Sequence, residues 1–150
     1  MIANLIKVYL TPSVKLRLRF HLALAGHKEI GGMLFGEQIQ ANHFKVVDFS
    51  IDNRSGTFAN FVRDPIIHKK SIDRFFHKTG HNYTRFNYLG EWHSHPSFSV
   101  LPSREDAISM QNLVNSEDSI EFAFLLIVKL ESYFRLDYSN SLFQRNENSH

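Results

Sequence analysis

Two histidines one residue apart, His93 and His95, close the stretch GEWHSHP, and Asp106 follows with ten residues in between. Side chains at i and i+2 of an extended segment point the same way, so both imidazoles can face one point. Pro96 turns the chain after them, and Asp106 falls in the first turn of a following helix, where a short loop can bring it back. Two neutral imidazoles and one carboxylate, with a fourth position left open, are a zinc ligand set. Iron is the rival, because two histidines and a carboxylate also form its facial triad. Solvated or structural histidines are the plainer reading, and spacing alone leaves the choice open.

Three more residues carry a chemical and a plain reading side by side. Glu91 shares the parity of His93 and His95, which makes it a competing carboxylate ligand or simply the solvent-facing residue of a strand. Ser103 and Asp106 form S-x-x-D, close to a capping box in which neither residue does chemistry. A catalytic metal also needs a base that is not itself a ligand. Glu29, in HKEIGGMLFGE, is the upstream candidate; otherwise it is a charged helix-to-strand junction.

The elements around these residues follow from pattern. Asn4 to Leu10 reads as a strand. Thr11-Pro12 then has the hydroxyl cap and first-turn proline of a helix start, whereas the following VKLRLRFHLAL alternates like a strand. IGGMLFGEQI (30–39) and FKVVDFSI (44–51) read as paired strands, followed by a polar loop from Asp52. Asp64-Pro65 opens a helix to about Lys78, ended by Thr79-Gly80. Phe86 to Trp92 is a strand leading into the histidines. Pro102-Ser103 opens a helix to about Val114. EFAFLLIVKL (121–130) is the clearest strand, with Tyr133 to Tyr138 as its hairpin partner. Residues 1–140 are expected to form one domain, followed by a frayed polar tail over 141–150. Alternating strands and helices predict an α/β or α+β domain with a mixed sheet flanked by helices.

Bulk properties narrow the function classes. A chain of 150 residues buries roughly 70% of its unfolded surface as a single domain. With 43% hydrophobic residues and 14 Phe, the composition is globular. The net charge is only +2, and Lys15, Arg17, Arg19 and His21 alternate with apolar residues, so nucleic-acid binding is not expected. There is no cysteine, which excludes disulfides, thiolate zinc sites and a cysteine nucleophile. No run approaches the ~18 apolar residues of a membrane span, and no apolar core precedes Ala23-Leu24-Ala25, so a cytoplasmic protein without membrane contact is expected.

Two segments carry a family resemblance. Glu29-Ile30-Gly31-Gly32-Met33-Leu34-Phe35-Gly36 resembles the E-x-G-G-x-L-x-G segment of the JAMM (JAB/MPN+) metalloproteases. His93-Ser94-His95-Pro96 with Ser103 and Asp106 resembles their H-[ST]-H-P…S-x-x-D motif. The resemblance spans roughly residues 5 to 130, and GEWHSHP looks most like the bacterial JAB branch. It implies the JAB/MPN fold, similar to that of cytidine deaminases, and therefore a helix over Thr11 to Ala25. It also implies one zinc held by His93, His95 and Asp106 with water in the fourth position. Glu29 would be the general base and then acid, and Ser103 the oxyanion donor. The implied reaction is hydrolysis of an amide or isopeptide bond after the C-terminus of a ubiquitin-like modifier. Some members accompany ubiquitin-activating-like and conjugating-like proteins in anti-phage operons. Two alternatives stay open: a metal-free scaffold that binds a partner, and a peptidase acting on a sulfur-carrier-like protein. Phe58 and Phe61, in the loop from Asn53, are candidates to flank a substrate groove or to join the core.

Overall fold

The computed structural model describes residues 5–51, 65–116 and 120–146. The loop with Phe58 and Phe61, Asn4 and Asp64 therefore lie outside the described residues. The order of elements is β1 (Lys7–Leu10), α1 (Pro12–Ala25), β2 (Gly31–Gln40), β3 (His43–Phe49), α2 (Pro65–Lys78), β4 (Phe86–Ser94), α3 (Arg104–Ser116), β5 (Phe122–Glu131) and β6 (Arg135–Gln144). Among the described residues these strands form one mixed sheet in the order β1-β3-β2-β4-β5-β6. β1 runs parallel to β3 and β4 parallel to β5, while the other neighbouring pairs are antiparallel. The parallel β4–β5 pair needs a crossover, and α3 supplies it.

Thr11 to Ala25 folds as a helix despite its alternation. The Thr11 hydroxyl accepts the Val14 N–H at 3.2 Å, Pro12 fills the first turn, and Gly26 closes the end at φ 60°. The period-two pattern resolves into two apolar stripes at i, i+4 and i+8. Val14, Leu18 and Leu22 are buried against the sheet, whereas Leu16, Phe20 and Leu24 face outward and are exposed. One stripe suffices to dock the helix, so tertiary packing overrides the local pattern.

β5 is buried on both faces. Phe124, Leu126 and Val128 join the core under α1, and Ala123, Leu125 and Ile127 pack under α3. Several boundaries move from their expected places. β4 continues through Ser94, so His93 lies within the strand rather than beyond it. The β5–β6 turn takes Ser132–Phe134, leaving Tyr133 out of the strand. Residues 141–144, expected in the polar tail, are the last four of β6 and pair with β5 from Phe122 to Leu125. Half-buried Ser141 and Phe143 alternate there with exposed Leu142 and Gln144 on an edge strand, one face of which remains in water. No described helix is long and apolar enough to cross a membrane.

Candidate metal centre

The phase of β4 decides where its polar residues point. Tyr88 pairs with Phe35 but Gly90 with Leu34, so Leu89 is an extra residue and the strand bulges. Phe86 and Tyr88 pack on the α2 side before the bulge. After it, Trp92 joins the α1 side with Leu89, which leaves Glu91 and His93 on the face of α2 and α3. Strict alternation would have put Trp92 on that face and His93 under α1. The bulge requires glycine: Gly90 has φ 148°, and an added Cβ would lie 2.0 Å from the Phe124 carbonyl oxygen. Bulges of this kind re-aim side chains beside functional sites. A lone glycine in an otherwise aromatic strand was the available sequence signal for it.

The two sequence motifs meet along β2 and β4. Gly31 pairs with His93, and a Cβ on Gly31 would come within 2.6 Å of the Trp92 carbonyl and 3.0 Å of His93 Cβ. Ser94, the residue between the histidines, locks the start of β2: its N–H donates to the Ile30 carbonyl at 2.8 Å, and its hydroxyl accepts the Ile30 N–H at 3.0 Å. Glu29, half-buried, is thereby tethered one residue from that lock, and its charge favours the protonated form of His93. Ser94 had no role assigned from sequence; its signal was a hydroxyl between two candidate ligands.

His93, His95 and Asp106 converge. Their ligand atoms all lie within 4.8 Å of one another. His93 Nε2 and His95 Nε2 are 3.0 Å apart, and Asp106 Oδ2 stands 3.4 Å from the first and 3.7 Å from the second. Tetrahedral zinc with bonds of about 2.0–2.1 Å needs ligand atoms separated by about 3.3–3.4 Å. The observed triangle brackets that edge. Protonation fits as well. His95 Nδ1 donates to the Ser99 carbonyl at 2.8 Å, which fixes the ring with Nε2 toward the centre. Burial lowers the His93 pKa, against the opposing pull of Asp106, which favours the neutral imidazole. Burial pushes the Asp106 carboxyl upward, but hydrogen bonds from His93 and from the Ser103 N–H outweigh this and hold it at about 2. Neutral imidazoles and an ionised carboxylate are the ligand forms a divalent metal requires. The donor set therefore fits zinc.

Ser103 and Asp106 form a true capping box. The Ser103 N–H donates to Asp106 Oδ2 at 2.8 Å, and Asp106 N–H donates to the Ser103 hydroxyl at 3.1 Å. The oxygen held by the box is the one nearest both imidazoles. Cap and centre are thus one arrangement: the cap fixes the rotamer of Asp106. The Ser103 hydroxyl only accepts in this box, so its own proton remains available, and Ser103 is exposed. Glu91 is buried on the same face as His93, but the converging carboxylate is that of Asp106.

A helix-backed mixed sheet carrying this centre defines the class, and comparison with known proteins names it. The model for prokaryotic homologs of the JAB domain matches residues 11–138, and the chain belongs to that family. A curated relative from Vibrio cholerae serotype O1, named CD-NTase/cGAS isopeptidase, is 29% identical over 109 residues, which cover 71% of this chain. The chain spans 65% of that relative's length. The solution structure of a Desulfitobacterium hafniense protein superposes with a TM-score of 0.65 over 96% of this chain and 99% of the other, at 19% identity, a likeness of fold.

Proposed function

We propose that the protein is a zinc-dependent isopeptidase that hydrolyses the bond after the C-terminus of a ubiquitin-like modifier. The observation that carries this reading is the His93–His95–Asp106 triangle, with edges suited to zinc, in a chain of the JAB family. When bound there, zinc would polarise the scissile carbonyl and lower the pKa of water toward ~7. Glu29, tethered beside His93 and outside the ligand triangle, takes a proton from the attacking water and returns it to the leaving amine. The Ser103 hydroxyl donates its free proton to the oxygen that gains charge as the carbonyl is attacked. The α3 N-terminus, where Ser103 and Asp106 sit, adds its partial positive charge to the same region. No covalent intermediate with a side chain is needed, consistent with a chain that has no cysteine.

The Vibrio relative's name couples an isopeptidase with CD-NTase/cGAS. The same pairing is the substrate context proposed here: release of a bacterial ubiquitin-like protein from a CD-NTase-type target, in a conjugation system of the anti-phage kind. The test is incubation with such an isopeptide-linked conjugate, followed by gel separation of modifier and target. Cleavage is expected, with loss on chelation and recovery on adding zinc. Glu29→Gln should keep its zinc and slow turnover by at least ~10²-fold, the usual scale of a general acid–base group. Undiminished cleavage by the chelated protein, or by Glu29→Gln, would overturn the assignment of the metal or of the base, respectively.

A further inference from the structure

We propose that the outer face of α1, with the β5–β6 turn, docks an acidic amphipathic helix of a partner protein. The first observation is the outward stripe of α1. Leu16, Phe20 and Leu24 are 45%, 56% and 85% exposed, spaced i, i+4 and i+8 over about 12 Å of helix. Isolated exposed leucines are ordinary, but an ordered apolar ridge on a surface helix marks an interaction face.

The second observation is independent. The turn between β5 and β6 places Tyr133 and Phe134 at φ 61° and 59°, a region that favours glycine or asparagine. Bulky aromatics there are strained, and Tyr133 is fully exposed, so no packing of its ring offsets the strain. Phe134 meets Phe20 edge to face at 5.3 Å, which joins turn and stripe into one surface.

Charge and shape select the occupant. Pro12 to Ala25 contains no acidic residue. Lys15 lies over the Tyr138 ring at 5.5 Å and Arg19 over the Phe134 ring at 5.7 Å, both on the β6 side of the ridge; Arg17, on the other side, already pairs with Asp48 at 3.0 Å. A second copy docked through this same face would bring cations against cations, whereas a partner with acidic flanks complements them. The surface is also a step. Tyr138 and Leu142 lie on the α1 side of edge strand β6 and remain 37% and 38% exposed, so the apolar surface drops from the helix crest to the strand beside it. A flat membrane would meet only the crest. A helix can lie in the step with an i, i+4, i+7 ridge against both walls.

The experiment is selection against the zinc-loaded protein of a displayed peptide library with a fixed leucine ridge on a helical scaffold and randomised flanking positions. Selected peptides are expected to carry Asp or Glu at the flanks. Their affinity, read by fluorescence anisotropy, should fall roughly tenfold or more for Phe20→Asp, as for a central anchor residue. Leu24→Asp serves as a second variant at the most exposed position, should Phe20→Asp fail to fold. Cleavage of the conjugate should be unchanged in either. No enrichment, flanks without acidic bias, or binding unaltered in both variants would overturn the proposal. So would Phe20-dependent sedimentation with phosphatidylserine–phosphatidylcholine vesicles, which favours lipid, or Phe20-dependent dimerisation by light scattering, which favours self-association.

Discussion

Beneath α1, Val14, Leu18 and Leu22 meet Leu34, Trp92 and Leu126 in one continuous apolar cluster. On the opposite face the apolar packing divides in two. Met110, Leu113 and Val114 of α3 cover Leu125 and Ile127, while Phe75 of α2 covers Met33 and Phe35. Glu91 and His93 are buried in the gap, and a cavity of about 720 Å³ lies between the clusters, lined by Met33, Ile72, Phe76, Glu91 and Leu113 among others. Buried ionisable groups are costly unless they are hydrogen-bonded, paired or bound to a metal. A fold tolerates them where apolar packing is already interrupted. The dry face is continuous apolar packing; the divided face holds the candidate ligands.

Substitutions can break or sharpen that contrast. The largest effect is expected from His95→Ala and Asp106→Ala: both should lose zinc by metal analysis, and turnover should fall by roughly 10³-fold or more, since a metal held there would supply several kcal/mol of transition-state stabilisation. Full metal retention in both would remove the centre from this face. Next comes a matched pair. Leu126→Ala, on the dry face, should cost about 2–5 kcal/mol of stability yet leave zinc stoichiometry intact. Gly90→Val should destabilise on a similar scale, about 2–5 kcal/mol. It should also lose zinc, because relieving the clash with Phe124 shifts the phase that aims His93. A zinc-loaded Gly90→Val would separate the bulge from the site.

Ser103→Ala should stay folded and zinc-bound while turnover falls by ~10²–10³, the effect of removing one oxyanion donor. Ser103→Asp can still cap the helix but sets a negative charge against the developing oxyanion, and should be as inactive. A rate for Ser103→Ala within about threefold of wild type, far short of one donor's usual effect, would leave only the cap. The smallest effect belongs to the dry face. Thr11→Ala removes the α1 cap and should cost about 1 kcal/mol by denaturant unfolding, with zinc content and turnover unchanged.

Much of this was written locally. The helix starts at Thr11 and Ser103 are legible because a cap needs only a hydroxyl and its next three residues. β5 is legible because an apolar run rich in branched residues has few other destinations. The histidine pair could be read as a shared face because alternation holds over two residues. Alternation failed over longer reach. It misread α1, where two stripes on opposite sides of a helix mimic a strand, and it could not register the change of phase at Gly90. The end of β6 was missed because its polar residues look like a tail until β5 pairs with them.

By itself, the sequence determined the candidate ligands, the cap that could hold one of them, the order of elements and the absence of thiol chemistry. Those depend on residue type and on separations of a few positions. Only the tertiary structure decided that Asp106 rather than Glu91 stands with the histidines, and that the Ser103 box holds the same oxygen that faces them. It alone brought the start of β2 beside His93 through Ser94, and left one stripe of α1 uncovered. Each of these is a relation between strands or helices far apart in the chain. Register, bulge phase and crossover geometry set such relations, and they follow from the packing of the whole sheet rather than from any one segment.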